Sequence, residues 1–385
     1  MRWLWALGLL ATVLCAGCRA GRETFVYEAN PERAGFSRDA WTQIALPIED
    51  AVRQGQMPGA VISVGRDGRI VFERAFGTRD PMAKGRPPMT RDTLFDVASL
   101  TKPVATAAAV GALVCEGLLA ADGGIPGEEL SLDALLTHSA GLPEYIDPRR
   151  LASVPGGPGR PGSTALALAR AENVLSPGGQ YRYGNLGYLL LSQFVEDQTG
   201  EALGDFAADE VWRPLGMTRT TFHPAAVEER LARSAGDVPL GRPFDPLAHW
   251  VLLNAPGRDP GHSGLFSTAT DLTRFAQSVL APAGQRWQCL SAFLLGGGRE
   301  IPHWPGPEGV ALAGAARRTR AFALADDGSL SHTGYTGAVL YLDPETGLSI
   351  VLLTNASYGN AAEFEDLWAA VLRTTRRSLK EDRSP

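Results

Sequence analysis

β-rich runs stand at both ends of this chain and helical spacing fills the middle, so its sheet must join segments far apart in sequence. Near the N-terminus, Ala60-Val-Ile-Ser-Val and Ile70-Val-Phe-Glu-Arg flank Arg66-Asp-Gly-Arg69. Asp-Gly between apolar runs predicts a hairpin over Gly59 to Phe76. Toward the C-terminus, Leu330 to Thr333, Ala338 to Leu342 and Ser349 to Thr354 read as short strands, the last two joined through Asp343-Pro-Glu-Thr-Gly347. From about 103 to 280 the spacing is helical, over 130–137, 165–174, 186–199, 206–212 and 269–280, and the Gly/Pro-rich 154–163 reads as an exposed loop. A helix over 37–55, with Ser37 as cap, precedes the hairpin, and one over 361–377 closes the chain. This order predicts a mixed α/β (α+β) fold. An antiparallel sheet from the N- and C-terminal segments is flanked by the terminal helices, and an all-helical lobe is inserted. A chain of 385 residues suits one large domain or two lobes.

The first 17 residues are set apart. Arg2 precedes an apolar stretch from Trp3 to Leu14, followed by Cys15-Ala-Gly-Cys18. This resembles a bacterial lipoprotein signal, although Cys15 stands where leucine is usual. The resemblance implies cleavage before Cys18, lipidation of Cys18 and export to the periplasm or cell surface. Residues 18–36 then form a polar tether, 37–377 the folded domain and 378–385 a polar tail. The net charge of −6 leaves no basic footprint for nucleic acid. Of four cysteines, Cys115 and Cys289 remain after the signal, and we expect two small buried thiols rather than a disulfide framework. Outside the signal, no C-x-x-C or His/Cys cluster has metal-ligand spacing, so neither a metal nor another cofactor is expected.

The chemistry centres on Phe95-Asp-Val-Ala-Ser99-Leu-Thr-Lys102-Pro, which runs into an apolar stretch to about Leu119. Helical residues three apart share a face, so the Ser99 hydroxyl and the Lys102 amine can meet. A serine hydroxyl needs a base beside it, and a lysine at the mouth of a buried helix is where a lowered pKa is expected. The pair alone is weak, because an N-cap serine and a snorkelling lysine give the same pattern. Other stretches join it. Tyr181-Arg-Tyr183-Gly-Asn185-Leu-Gly-Tyr188 offers a phenol, expected to have a depressed pKa beside the lysine, and an amide to orient substrate. Ser331-His332-Thr333-Gly334-Tyr335 lies at the predicted sheet edge, where Gly334 lets substrate approach the backbone. Gly261-His-Ser-Gly-Leu-Phe-Ser-Thr268 forms a tight loop before a helix. Tyr181, Tyr188, His138 and His262 are read as packing or loop-supporting groups.

S-x-x-K, Y-x-N and H-T-G in this order resemble the penicillin-recognising serine hydrolases: class C β-lactamases, D-alanyl-D-alanine carboxypeptidases and related carboxylesterases. The likeness extends to Leu135-Leu-Thr-His-Ser-Ala-Gly-Leu-Pro143, Pro177 to Leu191, Pro214-Leu-Gly-Met217 and Gly264 to Leu272. It implies a β-lactamase/transpeptidase-like fold with Ser99 as acylating nucleophile, Lys102 as its base and Tyr183 sharing proton transfer. Asn185 would bind the acyl side, and His332, Thr333, Gly334 and Tyr335 would line the substrate strand. His332 stands where many relatives have lysine, and would support the Tyr183 proton network or the substrate carboxylate. The backbone N–H groups of Ser99 and Tyr335 would form the oxyanion hole. Gly184, where serine or alanine is usual, is expected to loosen the turn before Asn185. The implied substrate is a small molecule or peptidoglycan peptide, with D-Ala-D-Ala-type peptides and esters foremost. A class C-like β-lactamase is one alternative; a non-catalytic sensor of cell-wall fragments is another.

Overall fold

The N-terminal hairpin forms as predicted: β1 (Gly59–Arg66) pairs with β2 (Arg69–Gly77). The chain then crosses to β3 (Phe95–Asp96), which pairs with β4 (Phe266–Ser267). It returns through β5 (Arg299–Glu300), β6 (Ala315–Arg318), β7 (Ala323–Ala325), β8 (Leu330–Gly334), β9 (Ala338–Asp343) and β10 (Leu348–Thr354). The structure, a computed structural model, describes residues 30–126, 128–176, 179–224, 230–234, 239–300, 315–356 and 361–379. Among these, eight strands make one antiparallel sheet in the order β2-β1-β10-β9-β8-β7-β6-β5. The central pairing sets Ala60 against Thr354 and Arg66 against Leu348, so the first strand closes on the last.

Side chains alternate along the central strands. Ile62, Val64, Ile350, Leu352, Val339 and Tyr341 point to one face, where they pack with α1 (Ala40–Arg53) and α11 (Ala361–Ser378). Val61, Val351, Leu353, Leu340 and Leu342 point to the other, into the larger core. A sheet covered on both faces has little polar alternation, which is why β9 and β10 are buried along their whole length and mostly apolar.

The larger core holds the helical lobe. It comprises α2 (Ala108–Cys115), α3 (Leu132–Leu136), α4 (Pro148–Ala152), α5 (Pro161–Ala171), α6 (Leu186–Thr199), α7 (Leu203–Ala207) and α8 (Pro246–Asn254). Helices α9 (Ala269–Leu280) and α10 (Gly284–Leu295) then lead back to the sheet, with α9 packed on β1 and β10.

Several boundaries differ from the sequence expectation. The first helix begins at Ala40 rather than Ser37, whose hydroxyl donates to Asp39 instead of capping. Helix α5 begins at Pro161, inside the expected loop, because proline suits a first turn. The apolar helix ends at Cys115, four residues short of Leu119, where Gly117 takes a left-handed φ of 74°. The last part of the expected tether is packed: Phe36 is fully buried and bridges Leu379. Ser378, expected in the tail, ends α11. The signal, Cys18, most of the tether and residues 380–385 lie outside the described residues.

Cys115 and Cys289 are not two thiols. They form a disulfide between α2 and α10, 174 residues apart in sequence, with Cα atoms 5.9 Å apart. Spacing alone could not reveal it, because the pairing depends on how two helices pack.

Candidate active site

Ser99 sits on a tight turn between β3 and the buried helix. A 3₁₀ turn over Ala98–Leu100 passes into a wide π-helical stretch over Lys102–Ala107 and then into α2. Such widened turns recur at functional sites. Ala98 is held at φ 45°, a conformation costly for a side-chain-bearing residue. Asp96 holds it there: one carboxylate oxygen accepts the Ala98 N–H at 2.9 Å, and the other accepts the Phe244 N–H at 2.7 Å. Burial pushes the Asp96 pKa up to about 6 against those two donors.

The Lys102 side chain is fully buried. Its Nζ lies 3.1 Å from Ser99 Oγ, 2.9 Å from Asn185 Oδ1 and 2.9 Å from the His262 carbonyl. Two of these partners, the amide oxygen and the carbonyl, only accept. The amine donates to all three, as an ammonium does. When it loses a proton it keeps two N–H bonds, and with these held by the two obligate acceptors its lone pair is left toward the Ser99 hydroxyl. The amine also lies over the Tyr183 ring, 4.9 Å from its centroid.

The 138–144 stretch positions Tyr183 and Asn185. His138 O accepts from the Arg182 N–H, His138 Nδ1 from the Gly184 N–H and Glu144 O from the Asn185 N–H. The expected looseness at Gly184 is absent. A Cβ there would lie 3.0 Å from Glu144 Cα and 3.1 Å from Pro143 O, so the glycine is where two backbones press together. Residues 177 and 178 of the implied signature lie outside the described residues.

Tyr183 differs from expectation. Burial pushes its phenol pKa well above the ordinary tyrosine value, and the Ser99 hydrogen bond and the Arg318 charge only partly offset this. The phenol is therefore protonated, not a standing phenolate. Tyr188 is a packing residue whose hydroxyl donates to Leu136 O at 2.9 Å. Tyr181 packs edge-on to His138.

Strand β8 completes the cleft. Its Gly334 lies so close to the Val97 carbonyl that a Cβ would come within 2.2 Å of the oxygen. Thr336 Oγ1 donates to Asp96 O at 2.6 Å, tying the end of β8 to the turn that carries Ser99. Tyr335 packs against Phe244 with ring centroids 4.9 Å apart. The His332 ring is buried, with its centroid 6.4 Å from that of Tyr183. Burial, with the Arg318 and Lys102 charges, holds its pKa well below the usual value. The ring is thus neutral, and Nδ1 lies 2.9 Å from Thr333 O. A proton on Nδ1 leaves Nε2 as an acceptor.

One charged residue was missed by the sequence reading. Arg318, at the end of β6, is fully buried, its guanidinium near enough to the Tyr188 hydroxyl to lower that phenol's pKa but without a well-aligned hydrogen bond among the described residues. Its charge reaches His138, His332, Tyr181, Tyr183 and Tyr188, which places it beside the Ser99 cleft. Thr333 Oγ1 and His332 Nε2 also lack partners among the described residues. Arg317-Arg-Thr-Arg320 carries no motif that marks the middle arginine as buried.

Fold and site together define a serine hydrolase of the β-lactamase/transpeptidase type. The chain belongs to the Beta-lactamase family, which matches residues 46–375. It is 27% identical to a putative D-alanyl-D-alanine carboxypeptidase of Escherichia coli (strain K12), over 92% of each chain. It is 30% identical to esterase EstB of Burkholderia gladioli, over 86% of this chain and 95% of that one. The D-amino acid amidase of Ochrobactrum anthropi SV3 superposes with a TM-score of 0.68 at 22% identity, covering 88% of this chain and 99% of the other.

Proposed function

We propose that this protein is an exported serine acyl hydrolase that cleaves a substrate with a free carboxylate on its leaving side, as in a D-Ala-D-Ala-type peptide. Lys102 takes the Ser99 proton as Oγ attacks the scissile carbonyl carbon. The oxyanion settles on the backbone N–H groups of Ser99 and Tyr335, each worth about 3 kcal/mol in such a hole. The C–N bond then breaks, and Tyr183 delivers a proton to the leaving amine and recovers one from the Lys102 ammonium, with His332 Nε2 as an acceptor that orients the phenol network. Water releases the acyl group from Ser99 by the reverse proton path. Asn185 holds the substrate's acyl-side amide with its N–H groups, while its oxygen keeps the Lys102 amine aimed.

The observation that carries the substrate class is the buried Arg318 guanidinium. Arg318 has no counter-charge among the described residues; a cation so placed is costly to bury, and a substrate carboxylate at that point offsets the cost. His332 is neutral and supplies no such charge. With Thr333 Oγ1 it offers hydrogen bonds instead.

The test compares a D-Ala-D-Ala-terminated peptide with its C-terminal amide and with an uncharged chromogenic ester. Arg318→Met is expected to lower kcat/KM for the free-acid peptide by about 100-fold, the scale of a charged hydrogen-bonded contact, and to change ester turnover by less than about threefold. Equal losses on all three substrates would overturn the carboxylate reading. Intact-mass measurement on the wild type should show an acyl adduct that Ser99→Ala cannot form.

Two features support export. The N-terminal segment has the order of a lipoprotein signal. The Cys115–Cys289 disulfide suits an oxidising compartment. Anchoring through Cys18 predicts that Cys18→Ser moves the protein from the membrane pellet to the soluble fraction, and an unchanged distribution would remove the anchor.

A further inference from the structure

We infer that Asp245 is a positioning residue for the reaction: it fixes His262 from outside the active site so that the His262 carbonyl holds Lys102 from within. This rests on the serine-acyl reading above and adds a residue to it.

The His262 carbonyl is one of two obligate acceptors that hold Lys102 Nζ 3.1 Å from Ser99 Oγ, so that the neutral amine would turn its lone pair to Ser99. If that carbonyl moves, the amine can turn away. The loop carrying it is clamped to the nucleophile segment on its inner side. Thr106 Oγ1 donates to Gly261 O at 2.6 Å, the Leu265 N–H donates to Thr101 Oγ1 at 3.1 Å, and the Val97 N–H donates to Leu265 O at 3.0 Å. Gly261 has no room for a side chain, because a Cβ would lie 2.5 Å from Tyr188 O and 2.6 Å from Ser192 Cβ.

The outer side is held through the His262 ring. It is fully buried, and its Nε2 lies 3.5 Å from Asp245 Oδ1. His262 Nδ1 has no partner among the described residues, so Asp245 is the polar contact that orients the ring. Asp245 is itself rigid: the same oxygen accepts the N–H groups of Leu247 and Ala248 at the start of α8. Burial works against its ionisation, but the His262 ring and those N–H groups hold its pKa down at about 2. The preceding residue, Phe244, donates its N–H to Asp96, which shapes the turn under Ser99. The Phe244–Asp245 segment therefore braces both the nucleophile and the carbonyl that aims its base. A cap for α8 alone would not call for a buried imidazole against the carboxylate.

Asp245→Ser separates these roles, because a serine hydroxyl still caps a helix but is too short to reach His262, whereas asparagine would keep the oxygen that does both. The variant is expected to lose about tenfold in kcat on a chromogenic ester with KM within about twofold. Its thermal midpoint should stay within about 2 °C of wild type. Asp245→Thr, another short capping residue, should show the same split and serves if the serine variant fails to fold. A kcat within twofold of wild type, or a loss that tracks the fall in thermal midpoint, would overturn the inference. Ser99→Ala is the control: if it turns over ester, the acyl-enzyme reading has failed, not the role of Asp245.

Discussion

Ser99 and Lys102 meet as their spacing predicts, but what aims the lysine is remote in sequence: Asn185 Oδ1 and the His262 carbonyl. Spacing speaks for neighbours on one helix; it is silent about which loop carbonyl arrives from 160 residues away. The same limit explains the two electrostatic surprises. A phenol near an ammonium reads as acidic, yet burial outweighs the charge at Tyr183 and keeps it protonated. Arg318 looks like one of three basic residues in a short surface stretch, Arg317 to Arg320, until β5 and β7 are known to flank its strand. If Tyr183 passes a proton rather than holding the substrate, Tyr183→Phe should lower kcat by about 10²–10³ with little change in KM. Gly334→Ala tests the close approach. Its methyl would strike the Val97 carbonyl and push β8 from Ser99, so activity should fall by about 100-fold or more, with near-native circular dichroism.

Elements were legible where periodicity was strong. The hairpin β1–β2, strands β8 to β10 and helices α6, α9 and α11 lie close to their expected places. Strands β5 to β7 escaped notice because each has only two to four residues. Helices α8 and α10 were missed for another reason: neither shows a sharp apolar stripe, since α8 carries the exposed Leu253 outside its buried face and the first turns of α10 are polar and exposed. The segment Ala98–Cys115 is apolar enough to pass for a membrane span, yet most of it is buried within the protein. The disulfide belongs to this scale, since it fastens the end of the nucleophile helix to α10. Replacing both cysteines with serine should lower the unfolding free energy by about 2–5 kcal/mol, as expected for a long closed loop. Denaturant titration of the variant against the wild type measures it, and equal midpoints would contradict a structural role.

At the scale of the whole molecule, four buried titrating groups set opposing pH dependences. His138 and His332 are neutral when folded, with pKa values held well below that of the unfolded chain, chiefly by burial. Below about pH 6.5 the unfolded state binds their protons and the folded state does not, so each lowers stability as pH falls. Burial pushes Glu196 up to about 7 and Asp96 up to about 6, so these bind protons more readily when folded and raise stability over the same fall. Removing one group should therefore tilt the curve in a known direction. Between pH 5 and 6.5, Glu196→Gln should make stability fall more steeply with acid, and His332→Asn less steeply, each by up to about 1.4 kcal/mol per pH unit. Chemical denaturation at several pH values reads the slopes, and a shared slope would refute the assignment. The overall architecture was legible because it rests on the order of strands and helices along the chain, whereas the pH behaviour depends on burial that only the assembled cores create.

The pairing of β1 with β10 also sets a timetable. As the chain is synthesised from its N-terminus, β1 and β2 emerge first, yet β1 finds its other neighbour only when residues 348–354 appear. Until then one edge of the hairpin is bare and the core between the sheet and α9 has no floor. A nascent chain of this kind stays unfinished until almost its whole length is made, and its slowest step is that last long-range closure.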